Sequence, residues 1–230
     1  SFDLPDKPLV DSTGIYFTPM LRHLDRGSQE VDNGHYLQSE YVFGATAAAA
    51  LYRREMIDDI SIHGDFFDPD FFVYREDADV AWRAQLFGWR CMYTPAARGY
   101  HVRKVLPGNR RALPANINMH SVKNRFLMRL KNITPDLYWR NWLSITFRDL
   151  VVIGCCLIWE TTSLGAFWYV VRNWSRIMSK RREIMARRRV TDVELAAWFH
   201  YDPVSKPAPR PGARPGSPKS PARQKAVRGR

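Results

Sequence analysis

Cysteine is scarce in this sequence, and no apolar stretch is long enough to cross a membrane without interruption. The 230 residues include only three cysteines, Cys91, Cys155 and Cys156, and their spacing fits no metal site. Such a set excludes a disulfide framework and favours buried free thiols in a reducing compartment. Within the most apolar region, 143–171, the uninterrupted piece 150–159 has ten residues. A spanning helix needs about 20.

Acidic residues are also few, with 23 Asp and Glu against 35 Lys and Arg, for a net charge of +12. The imbalance is uneven, because the segment 203–230 carries eight basic residues and no acidic one. That segment has seven prolines and no apolar periodicity, so residues 202–230 are predicted to be a disordered basic tail. The positive net charge is also typical of a nucleic-acid-binding module, which is an alternative function. The sequence contains no recognised nucleic-acid-binding motif, and this argues against nucleic acid as a partner.

The stretch around which the rest of the chain is organised is 66–101. An aromatic run at 71–74 has the composition of a strand. The next residues repeat at helical spacing up to Gly88, which suits the left-handed position after a helix. A second strand-like run at 89–93 and a turn then lead back to His101. The pattern predicts an α/β unit whose functional edge lies where the helix begins.

Three acidic residues, Glu76, Asp77 and Asp79, mark the start of that helix. Acidic side chains stabilise a first helical turn, because they face free N–H groups and the positive end of the helix dipole. They are therefore either ordinary N-terminal helix charges or the acids of an active site. The histidine that follows the next strand, His101, favours the active site.

The small, apolar segment 44–51 permits two interpretations. Gly44 and the alanines after it allow the backbone to approach a ligand closely. The same residues also suit a tightly packed junction between a strand and a helix. A helix with Arg53 and Arg54 on its exposed side is predicted to follow.

Four segments, in this order and spacing, resemble glycosyltransferase family 2, most closely its bacterial rhamnosyltransferase-like members. They are G-A-T-A-A-A-A-L-Y-R-R-E-M at 44–56, F-F-V-Y-R-E-D-A-D-V-A-W-R at 71–83, G-W-R-C at 88–91 and P-A-A-R-G-Y-H at 95–101. The resemblance extends over residues 8–200. It implies a GT-A fold, a Rossmann-like α/β domain that binds a nucleotide-sugar and a divalent metal.

The resemblance also implies that this chain is the C-terminal half of such an enzyme. In the family, the nucleotide-binding half and a metal-binding Asp-x-Asp precede the segment that begins here at Gly44, and only 43 residues precede Gly44 in this sequence. Asp77 and Asp79 correspond to the family's later acidic motif. The expected organisation is the acceptor side of the GT-A domain at 1–115 and a helical region at 116–201, followed by the tail. The chain alone is then expected to be inactive.

The implied reaction is an inverting transfer of a sugar, with rhamnose as the candidate, from a nucleotide-sugar to a glycan or lipid-linked acceptor. Asp77 matches the family's base, Glu76 would orient that base or the acceptor, and Asp79 is the second candidate for the base. His101 matches a position where a histidine completes the coordination of Mg²⁺ or Mn²⁺, whose other ligands belong mostly to the missing half. The residues implied to border the substrates are Gly44, Ala45, Thr46, Trp82 and Arg83.

Residues 98–115 form a predicted basic loop punctuated by glycine and proline. Arg103 is one of its five Lys and Arg residues. A loop of this kind, next to a metal ligand, is suited to close over a diphosphate, so Arg103 is a candidate substrate-binding residue. The alternative is a solvated surface loop.

The C-terminal part is predicted to be helical. An apolar stripe indicates a helix at 117–130. The region 143–171, flanked by tryptophans, predicts helices that lie in the membrane surface, or a hairpin packed on the catalytic domain or on a second copy of the chain. A basic band at 180–189 suits anionic lipid headgroups or a solvated helix face, and Thr191 with Glu194 predicts a capping box. The expected location is the cytoplasmic face of the bacterial inner membrane.

Overall fold

The structure is a computed structural model that describes residues 9–101 and 114–200. Arg103, most of the basic loop 98–115 and the predicted tail 202–230 lie outside the described residues. The described part is a mixed α/β fold, in which helices predominate over a few short antiparallel strands.

Four three-residue strands form two antiparallel pairs in the described part. β1 (Ile15–Phe17) pairs with β2 (His23–Asp25), and β3 (Glu40–Val42) pairs with β4 (Cys91–Tyr93). A bridge between Ile15 and Gly44 links the two pairs. The strands predicted near 15–17, 41–43 and 89–93 are thereby confirmed. No parallel pair occurs in 9–101 or 114–200, so these residues contain no Rossmann-like sheet.

Seven α-helices account for about half of the described residues. They are α1 (Arg54–Ile60), α2 (Glu76–Leu86), α3 (Ala115–Asn132), α4 (Pro135–Ile158), α5 (Gly165–Arg172), α6 (Trp174–Ala186) and α7 (Asp192–Phe199), with 3₁₀ turns at Ala47–Ala49 and Thr161–Leu164. The helices predicted after the acidic cluster and at 117–130 are confirmed as α2 and α3. Gly88 follows α2 with a left-handed φ of 79°, as expected. The capping box of Thr191 and Glu194 is present at the start of α7.

The segment 71–74, predicted to be a strand, is not one. Phe72, Tyr74 and Arg75 have φ of 61°, 62° and 70°, in the left-handed region that non-glycine residues rarely occupy. The amide of Asn124 on α3 holds this conformation, because its Nδ2 donates to three carbonyl oxygens of the segment at 2.6 to 2.9 Å. Left-handed non-glycine residues cost free energy and concentrate at functional sites. Here the strained segment leads directly into the acidic start of α2.

A single aromatic core joins the strands to the C-terminal helices. Trp82 of α2 is fully buried, with its ring centroid 5.1 Å from that of Phe17 and 4.8 Å from that of Phe199. The Phe43 ring contacts Phe17 and Phe199 as well. Because Phe199 belongs to α7, residues on both sides of the predicted boundary at 115 share this core.

Helix α3 differs from the prediction on its polar side. The expected apolar stripe is present, with Val122 and Leu127 buried. The opposite face is buried too, and its buried polar residues are Lys123, Asn124, Arg125, Lys131 and Asn132. Except for Arg125, which faces Asp149 of α4, they contact acids and carbonyl groups of the segment that precedes and opens α2. Lys131 Nζ, for example, lies 2.5 Å from a carboxylate oxygen of Asp68.

Helix α4 is longer than the apolar run that the sequence contains. Thr134 caps its first turn by accepting a hydrogen bond from Leu137, with Pro135 at the first helical position. It has 24 residues, and its most apolar 18-residue window has a mean hydropathy of 1.5, so the helix could cross a membrane by length and composition alone. Only 17% of its most apolar window is buried in the described structure. The charge that interrupts the run, Asp149, is paired with Arg129 of α3 at 2.6 Å.

The basic band at 180–189 is mostly engaged within the fold, which corrects the expectation that it faces lipid or solvent. Lys180 is buried and lies within 2.8 Å of carboxylate oxygens of Asp68 and Asp70. Arg181 donates to the carbonyl of Leu130. Arg189 pairs with Asp59 at 2.6 Å. These ion pairs and hydrogen bonds hold α6 and the residues after it against the rest of the molecule.

We expect Gly44→Ala to destabilise the fold, because a Cβ at this position would lie 2.2 Å from the Cβ of Ala81 on α2. Overpacking of this kind costs about 1–3 kcal/mol. The matched control is Gly154→Ala, at a position inside α4 where an added Cβ meets nothing within 4 Å. There the substitution removes a helical glycine and should stabilise by about 0.5–1 kcal/mol. Urea denaturation measures both, and equal midpoints for the two variants would contradict this packing.

Candidate active site

The carboxylate of Asp77 lies at the N-terminus of α2 and faces the small segment that contains Thr46. Its Oδ1 accepts a hydrogen bond from the N–H of Ala78 at 2.7 Å. Its Oδ2 accepts from the N–H of Ala47 at 3.3 Å and from the hydroxyl of Thr46 at 3.4 Å. The structure therefore brings together two parts of the predicted site that are 31 residues apart in sequence.

Glu76 and Asp77 both have pKa values above their ordinary range. Burial is the main cause for Asp77, and the charge of Asp25 adds to it, although hydrogen bonds from Ala78 and Ala47 act in the opposite direction. Burial also raises the pKa of Glu76, whose Oε2 is buried without a hydrogen-bond partner among the described residues. A carboxylate with a raised pKa is a stronger proton acceptor. The pair is thus suited to general base chemistry.

Tyr52 is a further member of this site that the sequence analysis did not identify. Its hydroxyl is buried and has no hydrogen-bond partner in the described part of the chain. Burial and the negative charge of Asp77 raise its pKa to about 12. The phenol therefore stays protonated at neutral pH and is available as a hydrogen-bond donor. The only sequence signal was its position directly after the small segment 44–51.

Asp79, the second candidate for the base, lies in the core. Its side chain is fully buried, and its oxygens accept hydrogen bonds from Arg83 at 2.9 Å, Asn132 at 2.7 Å and Lys131 at 3.1 Å. Every oxygen of the carboxylate is engaged, and none is open to a substrate. Asp79 therefore has a structural role in place of the predicted catalytic one.

Three predicted substrate-binding residues are likewise structural. Trp82 packs in the aromatic core, so no face of its ring is open to a sugar. Arg83 is 1% exposed and donates to the carbonyls of Ile60 and Phe66 as well as to Asp79. Gly44 is explained by its close contact with Ala81, which supports the packed strand–helix junction. Of the substrate-side candidates, Thr46 is the one that contacts Asp77, and Ala45 is its half-buried neighbour.

His101 is partly exposed, and its Nδ1 lies 2.9 Å from a carboxylate oxygen of Asp11. A carboxylate on one ring nitrogen is the arrangement that orients the other nitrogen of a metal-binding histidine. His101 thus fits a single ligand position. In the described ranges, no group of three or more His, Cys, Asp or Glu residues is placed to hold a metal.

A polar cavity of about 400 Å³, here called the arginine pocket, adjoins the start of α2. Its charged lining consists of Arg22, Arg75, Arg125, Arg148 and Asp25. His23 also lines it, and burial together with the nearby arginines lowers the pKa of this histidine, so that it is neutral. No sequence pattern identifies this pocket, because its four arginines come from distant parts of the chain.

Comparisons with protein-family models, with curated proteins and with solved structures found no match. Function therefore has to be inferred from the geometry of these side chains, together with the resemblance of four sequence segments to glycosyltransferase family 2.

Proposed function

We propose that this chain is the acceptor side of an inverting glycosyltransferase with a GT-A domain, which transfers a sugar from a nucleotide-sugar to a glycan or lipid-linked acceptor. The observation that carries the proposal is the position of Asp77. Its carboxylate lies at a helix N-terminus, has a raised pKa and is held by Thr46 and Ala47 of the small segment. A deoxyhexose such as rhamnose is the donor sugar that the sequence resemblance favours.

In the proposed reaction, Asp77 accepts the proton of an acceptor hydroxyl. The acceptor oxygen forms a bond to the anomeric carbon from the side opposite the leaving group. The bond from that carbon to the diphosphate oxygen breaks, and the configuration inverts. Hydrogen bonds from Thr46 and Ala47 fix the orientation of the base, and Glu76 and Tyr52 are placed to hold the acceptor.

A divalent metal, Mg²⁺ or Mn²⁺, would neutralise charge on the departing diphosphate. The side chain here that fits it is His101, oriented by Asp11. In the family, the nucleotide-binding half and the Asp-x-Asp precede the segment that begins at Gly44. The resemblance implies a donor site and further metal ligands, and in the described ranges no group of three or more possible ligands is placed to hold a metal.

A second candidate function is membrane association without catalysis. It is favoured by α4, which is mostly exposed and carries large apolar side chains toward the outside, among them Phe147, Leu150 and Ile158. The two candidates are compatible, because an enzyme that acts on a lipid-linked acceptor works at a membrane surface. We propose the cytoplasmic face of a bacterial inner membrane as the location.

The proposed function is tested by a transfer assay on the full-length protein as the cell makes it. Labelled nucleotide-sugars are supplied with Mg²⁺ or Mn²⁺ and bacterial membrane lipids as the acceptor source. We expect labelled product from one donor, with one nucleoside diphosphate released for each sugar transferred and loss of activity on chelation. A folded, vesicle-bound protein that releases no diphosphate from any donor would contradict the transferase and favour membrane association alone.

A further inference from the structure

The arginine pocket is assembled from four separate parts of the fold. Arg22 precedes β2, Arg75 is the residue before α2, Arg125 lies on α3 and Arg148 lies on α4. Against these four guanidinium groups, Asp25 is the one carboxylate among the described lining residues. His23 is neutral and adds no charge, so the four arginines and the one aspartate leave the lining with an excess of positive charge. Like charges gathered in this way repel each other unless an anion separates them.

The two inner arginines have hydrogen-bonding capacity that the described residues do not use. Arg125 is 6% exposed, and its Nε has no hydrogen-bond partner; the same holds for the Nε of Arg148. The nearest carboxylate to Arg125, that of Asp149, is 3.7 Å away and is already held by Arg129 at 2.6 Å. Burial, followed by the charge of Arg148, lowers the pKa of Arg125 to about 10. A buried cation in this condition is costly unless a ligand completes its surroundings.

We propose that the arginine pocket binds a phosphoryl group, either a phosphate monoester or a diphosphate, carried by the acceptor of the transfer reaction. Guanidinium groups donate two parallel hydrogen bonds to phosphate oxygens, and several arginines can share one tetrahedral group. A cavity of about 400 Å³ is within the range of small-molecule sites. The assignment to the acceptor, although not the binding itself, rests on the proposed function.

The position of the pocket relative to the acids supports the acceptor rather than the donor. Arg75 lines the pocket and directly precedes Glu76. Asp25 lines it as well, and its charge contributes to the raised pKa of Asp77. A phosphoryl group bound here would lie near the N-terminus of α2, which also carries the proposed base, so that the acceptor would span the distance from the pocket to Asp77.

The source of the phosphoryl group is favoured to be a lipid. Arg148 lies on α4 beside an exposed apolar face formed by Phe147, Leu150 and Val151. A headgroup in the pocket would therefore place its hydrocarbon chain along an apolar surface that has no other partner among the described residues. Free phosphate compounds share the headgroup chemistry, and the experiment separates the two sources.

Calorimetric titration of the full chain with inorganic pyrophosphate tests the site. We expect saturable binding of one equivalent, weakened about tenfold or more in the double variant Arg22→Gln/Arg148→Gln, because each lost guanidinium removes charge-assisted hydrogen bonds. Arg182→Gln, on the exposed side of α6, removes charge elsewhere and should bind like the wild type. Arg148→Lys keeps the charge and should retain part of the affinity, which separates the loss of binding from a loss of folding.

Vesicle flotation then identifies the source. Phosphatidylcholine vesicles containing phosphatidic acid, a phosphate monoester, are compared with vesicles of equal charge containing phosphatidylglycerol, a diester. Preference for phosphatidic acid that the double variant loses would support a lipid-borne group, whereas pyrophosphate binding without this preference would support the site with a soluble ligand. No saturable pyrophosphate binding, or equal weakening by Arg182→Gln, would overturn the proposal.

The same titration on Asp77→Asn keeps this inference separate from the proposed function. Asp77 is not part of the pocket lining, so the variant should bind pyrophosphate like the wild type. Pyrophosphate binding by a wild-type protein that shows no sugar transfer would leave the site standing and reject the transferase. Transfer that is unaffected by Arg22→Gln/Arg148→Gln would instead reject the pocket as part of the acceptor site.

Discussion

Asp79→Asn is expected to lower the free energy of unfolding by about 3–5 kcal/mol, the usual consequence of removing one partner from a buried ion pair. Arg83 and Lys131, at 1% and 2% exposure, cannot regain water when the charge is lost. Lys131 still has Asp68 at 2.5 Å. Arg83 retains only the carbonyl groups of Ile60 and Phe66 within the described structure. Its positive charge then remains buried without compensation.

Urea denaturation at constant pH measures this loss, and Asp58→Asn is its control. Asp58 pairs with Arg54 on the surface of α1, where both side chains are mostly exposed, so its substitution should change the stability little. A loss below about 1 kcal/mol for Asp79→Asn would show that the charge at this position does not stabilise the core, contrary to what its geometry predicts.

Asp77→Asn is expected to abolish sugar transfer and to preserve the fold, whereas Asp79→Asn is expected to destabilise the fold. An amide cannot accept a proton from the acceptor hydroxyl, and general base catalysis typically contributes about 10²–10⁴ in rate. The pKa of Asp77 is raised in the folded state, so the folded protein binds this proton more tightly than the unfolded one. The free energy of unfolding therefore falls as the pH rises from the unfolded-state pKa of this carboxyl through its higher folded-state pKa. At neutral pH the uncharged variant should be at least as stable as the wild type.

The same raised pKa predicts a pH dependence of the reaction. Transfer requires the ionised carboxylate, so the rate should fall as the pH drops through the folded-state pKa of Asp77, which lies above the usual value for aspartate. Glu76 also has a raised pKa and interacts with the charge of Asp77. The fall in transfer rate at low pH therefore reflects the titration of both carboxyl groups together. A loss of stability, as expected for Asp79→Asn, would not produce this dependence of the transfer rate on pH.

Elements with local causes could be predicted from the sequence. Helix α2 follows from the helical spacing of apolar residues such as Ala78, Trp82 and Leu86 and from the glycine after it. The start of α7 follows from the reciprocal hydrogen bonds of Thr191 and Glu194, which lie three residues apart. In both cases, the interactions that determine the structure lie within one or two helical turns.

Elements fixed by distant partners could not be predicted in this way. The segment 71–74 has the composition of a strand, but the amide of Asn124, about 50 residues away, imposes left-handed backbone angles on it. Lys180 was expected to face lipid or solvent because Asp68, its partner, is 112 residues distant in sequence. A periodicity shows which face of a helix is apolar. It does not show that charged partners elsewhere bury the opposite face.

The candidate site was partly predictable for the same reasons. Asp77 and Thr46 lie in segments whose composition marks them separately, and the sequence resemblance connects them. Trp82 and Arg83 were assigned to the substrate side because they match positions that border the acceptor pocket in the family that the sequence resembles, but in the structure both side chains are buried in the core. The arginine pocket had no signal at all, since four single arginines at wide separations become a site only after folding.

The rate of sugar transfer by Asp77→Asn, compared with the wild type in matched preparations, tests the central claim most directly. Binding of the nucleotide-sugar, measured separately, should be nearly unchanged, so that any loss belongs to the chemical step. The account predicts a rate lower by about 100-fold or more in a variant that unfolds at the same urea concentration as the wild type or above it. A rate within about threefold of the wild type, well below the range of general base catalysis, would mean that Asp77 is not the base.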